Sequence, residues 1–366
     1  MTIQENVSLA QYTTLGVGGA ARWFVETSEE AEVLAAVRFA RAQGVGWFIL
    51  GGGSNLLVSD AGFKGVVVRM TGTGLSWVDE GDGFACIQAS AGIAWDSVVR
   101  LAVERECAGI ECLAGIPGSV GGTPVQNVGA YGQEVAHSVV RVRALDLAAE
   151  RVVELTAAEC GFGYRRSLFN TTDAGRYAIT RVDYELAMGR APLIEYRDVK
   201  SYFALRGVER PSLAMTADAV REIRSQKGMM LASGDADSRS AGSFFKNPVV
   251  RTEEVSRLAA SAGWHTADVP QFPAGRGHAA KDGMVKLSAA WLIELAGFSK
   301  GFAMGRAGLS TKHVLAIVNR GGATAAEIVA LRDAVIEGVW ARTAVRLEQE
   351  PVLLGFSVDT GQTSRK

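Results

Sequence analysis

VGWFILGGGSNLLV, residues 45–58, is an apolar run that stops on three glycines and a Ser–Asn pair. The run predicts a buried strand, and the bare glycines behind it predict a turn whose backbone N–H groups can approach a phosphate. A dinucleotide fingerprint of the Rossmann kind would continue as G-x-G-x-x-G into a helix. Counted from Gly51, the last glycine of that pattern falls on Leu56, and the chain beyond it reads as extended. A Rossmann unit is therefore excluded. Two readings stay open for Gly51, Gly52, Gly53, Ser54 and Asn55: a ligand-binding turn, or a glycine turn that binds nothing.

Outward from this turn the chain reads as α+β. Residues 28–44, SEEAEVLAAVRFARAQG, carry apolar positions at helical spacing and stop on Gly44, which predicts an amphipathic helix. GFKGVVVRM and GFACIQASAG read as strands, and a helix follows with Trp95, Val98, Val99, Leu101 and Ala102 on its apolar side. Residues 109–132, GIECLAGIPGSVGGTPVQNVGAYG, are dense in glycine and have neither helical nor strand periodicity, so they predict a long functional loop. A hairpin is expected over 138–156, and the strand YAITRVDYELAM closes the unit near residue 190. The expected division is residues 1–190, then 191–356, then a disordered tail at 357–366. The second part is expected to be a smaller α/β domain. Its predicted elements are the helix TADAVREIRSQKG, the helix KLSAAWLIELAGF, the strand HVLAIVN, a long helix, and a last strand VRLEQEPVLLGF.

With 366 residues, 48% of them hydrophobic, the chain can bury more than one core. A formal net charge of -1 and the lack of any block of like charges speak against nucleic acid as a partner. The first residues, MTIQENVSLAQYTT, lack the basic start and apolar run of a signal peptide, and no stretch reaches the roughly 20 apolar residues of a membrane helix, so a cytoplasmic protein is expected. Four cysteines and four histidines form no C-x-x-C and no H-x-x-x-H pair, so neither a disulfide framework nor a metal site is expected.

A second glycine-rich run, Ile116–Pro117–Gly118–Ser119–Val120–Gly121–Gly122–Thr123, adds further unhindered backbone donors. GGGSN, IPGSVGGTPVQNVGAYG, CGFGYRRSLF and AGSFFKNP stand in that order over nearly the whole chain, which resembles the UDP-N-acetylenolpyruvoylglucosamine reductases of peptidoglycan synthesis. The resemblance implies a flavin-binding unit of the vanillyl-alcohol-oxidase (PCMH) type, made of two subdomains, with a C-terminal domain covering the substrate. It implies non-covalent FAD, NADPH as hydride donor, and UDP-N-acetylglucosamine enolpyruvate as substrate. By the same resemblance, Gly51 to Asn55 and the loop Ile116, Pro117, Gly118, Ser119, Gly121, Gly122 and Thr123 contact the flavin, with Asn127, Gly129 and Tyr131 close by. No histidine precedes His137, so neither loop offers a histidyl attachment point.

Reduction of an enol ether of pyruvate puts a hydride on the β-carbon, negative charge on the α-carbon and carboxylate, and finally a proton on the α-carbon. The resemblance assigns the carboxylate to Arg165, in the motif that also holds Tyr164. An arginine's planar fork suits that task, and Arg166 next to it is the one-place alternative. Ser243, with no histidine within twenty residues, matches the family's proton donor, so no base need stand beside it. Lys246 or Lys227 would ease the cost of the resulting alkoxide. Without the resemblance, Ser243 reads as an ordinary turn serine. Glu350 matches the family's C-terminal acid, although Pro351 follows it here, and Glu348 is its alternative. Tyr196 is implied at the UDP diphosphate, and Lys227, Asn247 and Lys286 in the substrate channel, where a lysine acts as a point charge for phosphates. The lysines and the asparagine each stand against a bland alternative, a surface lysine or an asparagine capping a helix. Two other functions stand as alternatives, a flavin oxidoreductase with a different small substrate and a catalytically silent UDP-sugar- or flavin-binding protein. The trio Arg165, Ser243 and Glu350 disfavours both, and the lack of a G-x-S-x-G elbow removes a serine hydrolase. Monomer is the default expectation.

Overall fold

The computed structural model describes residues 1–232, 234–274 and 283–356, so the tail expected at 357–366 lies outside the described residues. The chain packs as two compact units. The first comprises Met1–Tyr12, Gly19–Ser54 and Ala61–Met230, and the second comprises Thr13–Gly18, Asn55–Asp60 and the chain from Leu231 onward.

Two larger sheets build the first unit, beside a two-stranded ladder of Gly129–Ala130 and Gln133–Glu134. One has the strand order Gln4–Ser8, Ala20–Thr27, Phe63–Met70, Trp47–Leu50, antiparallel at the first pair and parallel at the other two. Helix Glu30–Ala42 lays Val33, Ala36, Val37 and Ala40 on it, at the spacing the sequence predicts, against Trp23, Val25, Val66 and Val68. Its start is fixed by Thr27, whose Oγ1 accepts the Glu29 N–H at 2.9 Å and donates to Glu32 at 2.7 Å. Gly44, at φ 65°, ends it. Trp47–Leu50 is a strand as expected, but only Leu50 is buried, because this strand forms the sheet edge.

The other sheet is antiparallel, in the order Arg151–Thr156, Val139–Asp146, Tyr177–Met188, Phe84–Ser90, Leu75–Gly81. It includes the expected hairpin. Its inner face packs on helices Trp95–Glu104 and Leu213–Gln226. Residues 191–230 thus lie in the first unit, where a division at residue 190 would put them in the second. The reason is burial: Val199, Phe203, Ala217, Val220 and Ile223 join the core formed by Ile87, Val142, Val182 and Tyr184.

The hairpin turn carries a charge that the fold needs. Asp146 is buried, accepts the Ala148 and Ala149 N–H groups at 3.0 Å each, and takes Arg176 Nη2 at 2.7 Å. The Arg176 hydrogen bond, helped by the two N–H groups, pulls its carboxyl down to about 2. A depressed carboxyl contributes stability that is complete above the ordinary aspartate range and is lost as pH falls toward about 2. Asp146→Ala is expected to cost about 1–3 kcal/mol at pH 7, since it leaves buried donors unpaired. Chemical denaturation from pH 7 to 2 should show this loss shrinking below pH ~4; a loss independent of pH would refute the assignment.

Among its described residues the second unit has short strands and three α-helices. Val249–Arg251, Met284–Leu287 and Gln271–Pro273 form one antiparallel sheet, and Ala303–Met304, Ala307–Leu309 and Ile317–Asn319 form another. Helices Thr252–Ala262, Ala289–Leu295 and Ala325–Thr343 accompany them. Phe244, Phe245, Leu292, Ile317, Leu331 and Val335 share a core with Leu15, Val17 and Leu57 from the chain's N-terminal part. The strand expected over HVLAIVN shortens to Ile317–Asn319. The last strand is also divided, because Pro351 has no N–H to donate. On one side of it Lys246 N donates to Glu348 O and Glu350 N to Phe244 O, both at 2.9 Å. On the other, Val352–Leu354 pairs in parallel with Leu56–Val58.

Candidate active site

Gly51 to Ser54 leave the strand Trp47–Leu50 and meet the second glycine loop through their backbones. A Cβ placed on Gly52 would lie 2.5 Å from Gly118 Cα and 2.8 Å from Ser119 N, and one on Gly51 would lie 2.8 Å from Ser119 Oγ. Gly53 at φ 63° and Gly118 at φ 127° occupy conformations that glycine enters without strain. Only glycines permit this contact.

The second loop offers fewer free donors than its glycine content suggests. Val120 N–H donates to Ile93 O, Gly121 to Ala91 O, Gly122 to Ser119 O and Thr123 to Val120 O, all within 3.0 Å. Thr123 turns inward, its hydroxyl donating to Val120 O at 2.8 Å and lying 2.6 Å from the hydroxyl of buried Tyr184. Ser119 differs. Its Oγ is buried and finds no hydrogen-bond partner among the described residues. A buried hydroxyl in that state costs about 1–3 kcal/mol until something polar reaches it. Together with a cradle that any Cβ would fill, it fits a polar ligand such as a flavin nucleotide.

Asn55 ends the same five-residue motif but belongs to the second unit, where its Nδ2 donates to Glu350 O at 3.2 Å and its carbonyl accepts Val352 N at 3.0 Å. Asn127, at φ 47°, holds neighbouring backbone: Oδ1 accepts Ala136 N at 3.1 Å, and Nδ2 donates to Glu134 at 2.9 Å and Gly163 O at 3.1 Å. Gly129 O accepts Arg165 Nη2 at 2.8 Å. Arg165 is half-buried, lies over the Tyr164 ring at 5.5 Å and has a left-handed φ of 55°, whereas Arg166 is exposed. Such a φ on a non-glycine residue is strain of the kind concentrated at functional sites.

Tyr131 anchors a third group. Its ring meets Tyr196 edge to face at 5.4 Å, and Lys227 Nζ lies 5.5 Å from its centroid. Burial pushes the Tyr131 hydroxyl up to about 12, so it stays protonated, and burial also raises Tyr196. Lys227 caps the C-terminus of helix Leu213–Gln226 and pairs with Asp198 at 2.5 Å.

In the second unit Ser243 follows Gly242, at φ 72°, and precedes the buried Phe244 and Phe245. Phe244 N donates to Leu315 O at 2.7 Å, and the pairing of residues 244–246 with 348–350 brings the chain at Ser243 beside that at Glu350. Glu350 is half-buried. Glu348 is exposed, with Lys246 3.6 Å away. Asn247 Oδ1 accepts the Ala289 N–H at 2.9 Å, a contact at the start of helix Ala289–Leu295. Lys286 sits half-buried in Met284–Leu287. Arg165 thus belongs to the first unit, and Ser243 and Glu350 to the second.

Three residues of the site escaped the sequence reading. Asp96 accepts Gly115 N at 2.7 Å and Arg221 Nη2 at 3.0 Å, while Arg224 Nε donates to Gly115 O at 3.1 Å, so Gly115 at the head of the second loop is held by both its N–H and its carbonyl. Arg224 is buried, and desolvation depresses its pKa. The only sequence signal was that residues 221 and 224 share a helix face.

Comparison with known proteins gives a consistent outcome. The family model described as "UDP-N-acetylenolpyruvoylglucosamine reductase, C-terminal domain" matches residues 234–354, and "FAD binding domain" matches residues 21–156. The UDP-N-acetylenolpyruvoylglucosamine reductase of Thermobifida fusca is 43% identical over 97% of this chain and 98% of its own length. That of Nocardia farcinica is 45% identical over 97% and 90%. The crystal structure of the Thermus caldophilus reductase is 27% identical, covers 96% of this chain and 100% of its own, and superposes with a TM-score of 0.62.

Proposed function

Because the chain belongs to the UDP-N-acetylenolpyruvoylglucosamine reductase family, we propose that Arg165, Ser243 and Glu350 carry its chemistry and that the Gly51–Ser54 and Ile116–Thr123 loops hold its cofactor. The fold is α+β with a FAD-binding region, and the enzyme is a flavin-dependent oxidoreductase. It reduces UDP-N-acetylglucosamine enolpyruvate to UDP-N-acetylmuramate with NADPH, a step of peptidoglycan precursor synthesis. Bound FAD supplies a two-electron carrier between the nicotinamide and the enolpyruvyl group. The observation that carries the cofactor site is the Gly52–Gly118 contact with, beside it, the buried Ser119 hydroxyl that has no partner among the described residues.

In this reading the Arg165 fork binds the substrate carboxylate and stabilises the charge that builds as the β-carbon gains hydride. The Gly129 carbonyl at 2.8 Å and the Tyr164 ring keep the guanidinium aimed. Ser243 Oγ gives its proton to the α-carbon, and Glu350 shares the hold on the carboxylate. Glu348, turned to solvent, has no such role. Tyr164, Tyr196 and Lys227 bind the nucleotide sugar, Lys227 as a point charge for phosphate. Asn247 shapes the substrate channel through its contact at the start of helix Ala289–Leu295. Non-covalent FAD, a cytoplasmic location and a monomeric state complete the proposal, the last to be checked by sedimentation.

The direct test is the visible spectrum of the purified protein under anaerobic conditions. A flavin band should be present, bleach on NADPH and return on addition of the enolpyruvyl UDP-sugar. Bleaching without return would refute the substrate. Absence of flavin together with failure to take up added FAD would refute the cofactor site.

A further inference from the structure

Lys227, Asp198, Tyr196 and Tyr131 form one chain of contacts within the first unit. Lys227 Nζ is 2.5 Å from Asp198 Oδ2 and 5.5 Å from the Tyr131 ring centre, and Tyr131 meets Tyr196 at 5.4 Å. Asp198 lies two residues past Tyr196, in the first turn of helix Arg197–Ala204, and neither it nor Lys227 is fully buried, at 39% and 27% side-chain exposure. A nucleotide can therefore reach this ammonium, but it meets a carboxylate already bound there.

We propose that Asp198 is a resident competitor at the diphosphate subsite, holding the Lys227 ammonium until the diphosphate of an incoming nucleotide takes its place. The inference rests on the reading of Lys227 as a diphosphate contact. Two anions on one ammonium repel, and the repulsion grows as the site loses water, so exchange is favoured over sharing. An ammonium is suited to this because it is a compact point charge whose three donors rotate to a new partner, with no fork geometry to break. Asp198 then lowers nucleotide affinity and spares the empty site an uncompensated charge. Because it adjoins Tyr196, the exchange ties arrival of the anion to the segment carrying that ring.

The test uses the FAD-loaded protein and UDP-N-acetylglucosamine, a nucleoside diphosphate sugar without the reacting group, with its dissociation constant read by calorimetry. Asp198→Asn keeps the side chain's size and removes its charge. It should bind the probe about five- to tenfold more tightly than the natural protein. Lys227→Met should bind more weakly, and adding Asp198→Asn to it should restore nothing. If Asp198→Asn binds equally or more weakly while Lys227→Met is weakened, the competitor role is overturned and the diphosphate reading of Lys227 stands. If Lys227→Met binds as the natural protein does, that reading falls and the inference with it.

Discussion

Ser243→Ala is expected to leave FAD binding and its reduction by NADPH at natural levels and to slow reoxidation by the enolpyruvyl UDP-sugar by about 10²- to 10⁴-fold, the usual share of a positioned proton donor. The fold supplies the reason for the split. What holds this segment is backbone: Phe244 N to Leu315 O at 2.7 Å, Glu350 N to Phe244 O at 2.9 Å, and the two buried phenylalanine rings 5.5 Å apart. None of these involves the Ser243 hydroxyl, so its removal should spare the structure and act on the proton alone. Anaerobic stopped-flow measurement of each half-reaction separates the two effects. Reoxidation at the natural rate would remove Ser243 from the mechanism, and equal slowing of both half-reactions would mean that the change disturbed the site as a whole.

Gly52→Ala should be as damaging by a different route. The added methyl would stand 2.5 Å from Gly118 Cα and 2.7 Å from its carbonyl carbon, and backbone cannot rotate aside as a side chain can. The two loops must separate. Overpacking of this kind typically costs about 1–3 kcal/mol, which here should appear as a loss in FAD affinity of roughly 5- to 150-fold, and as a lower melting temperature of the apoprotein. Gly122→Ala in the second loop is the matched control, since among the described residues nothing beyond its own chain neighbours lies within 4 Å of its new methyl. Its apoprotein should melt normally, so any FAD affinity it loses reports contact with the cofactor itself. FAD retention by Gly52→Ala equal to that of the natural protein would show that the loop contact does not shape the site.

Much of this molecule was legible in the linear text because the signals were local. Helix Glu30–Ala42, the strands Phe63–Met70, Phe84–Ser90 and Tyr177–Met188, and the hairpin that Asp146 closes each carry their own periodicity and turn residues. The rejection of a Rossmann unit rested on Leu56 and on the extended reading of the chain after it, and the structure has the strand Leu56–Val58 behind the glycines. The family, and with it FAD and the reductase activity, followed from four short motifs in order.

What escaped the sequence depended on partners far along the chain. That Val120 to Thr123 have their N–H groups consumed by Ala91, Ile93 and the loop's own carbonyls, while the Ser119 hydroxyl has no partner among the described residues, is hydrogen-bond accounting that no local pattern contains. So is the division of GGGSN, whose Gly51–Ser54 pack with the first unit while Asn55 joins Glu350 and Val352 in the second. The segment 191–230 changes character in composition, yet Val199, Phe203 and Val220 bury in the first core because that is where an apolar surface awaits them. Residue type and order determined the fold class, the family and the kinds of group available for the chemistry. Tertiary structure alone decided which of those groups are already engaged, because burial and hydrogen-bond partners are set by how separate segments of the chain come together.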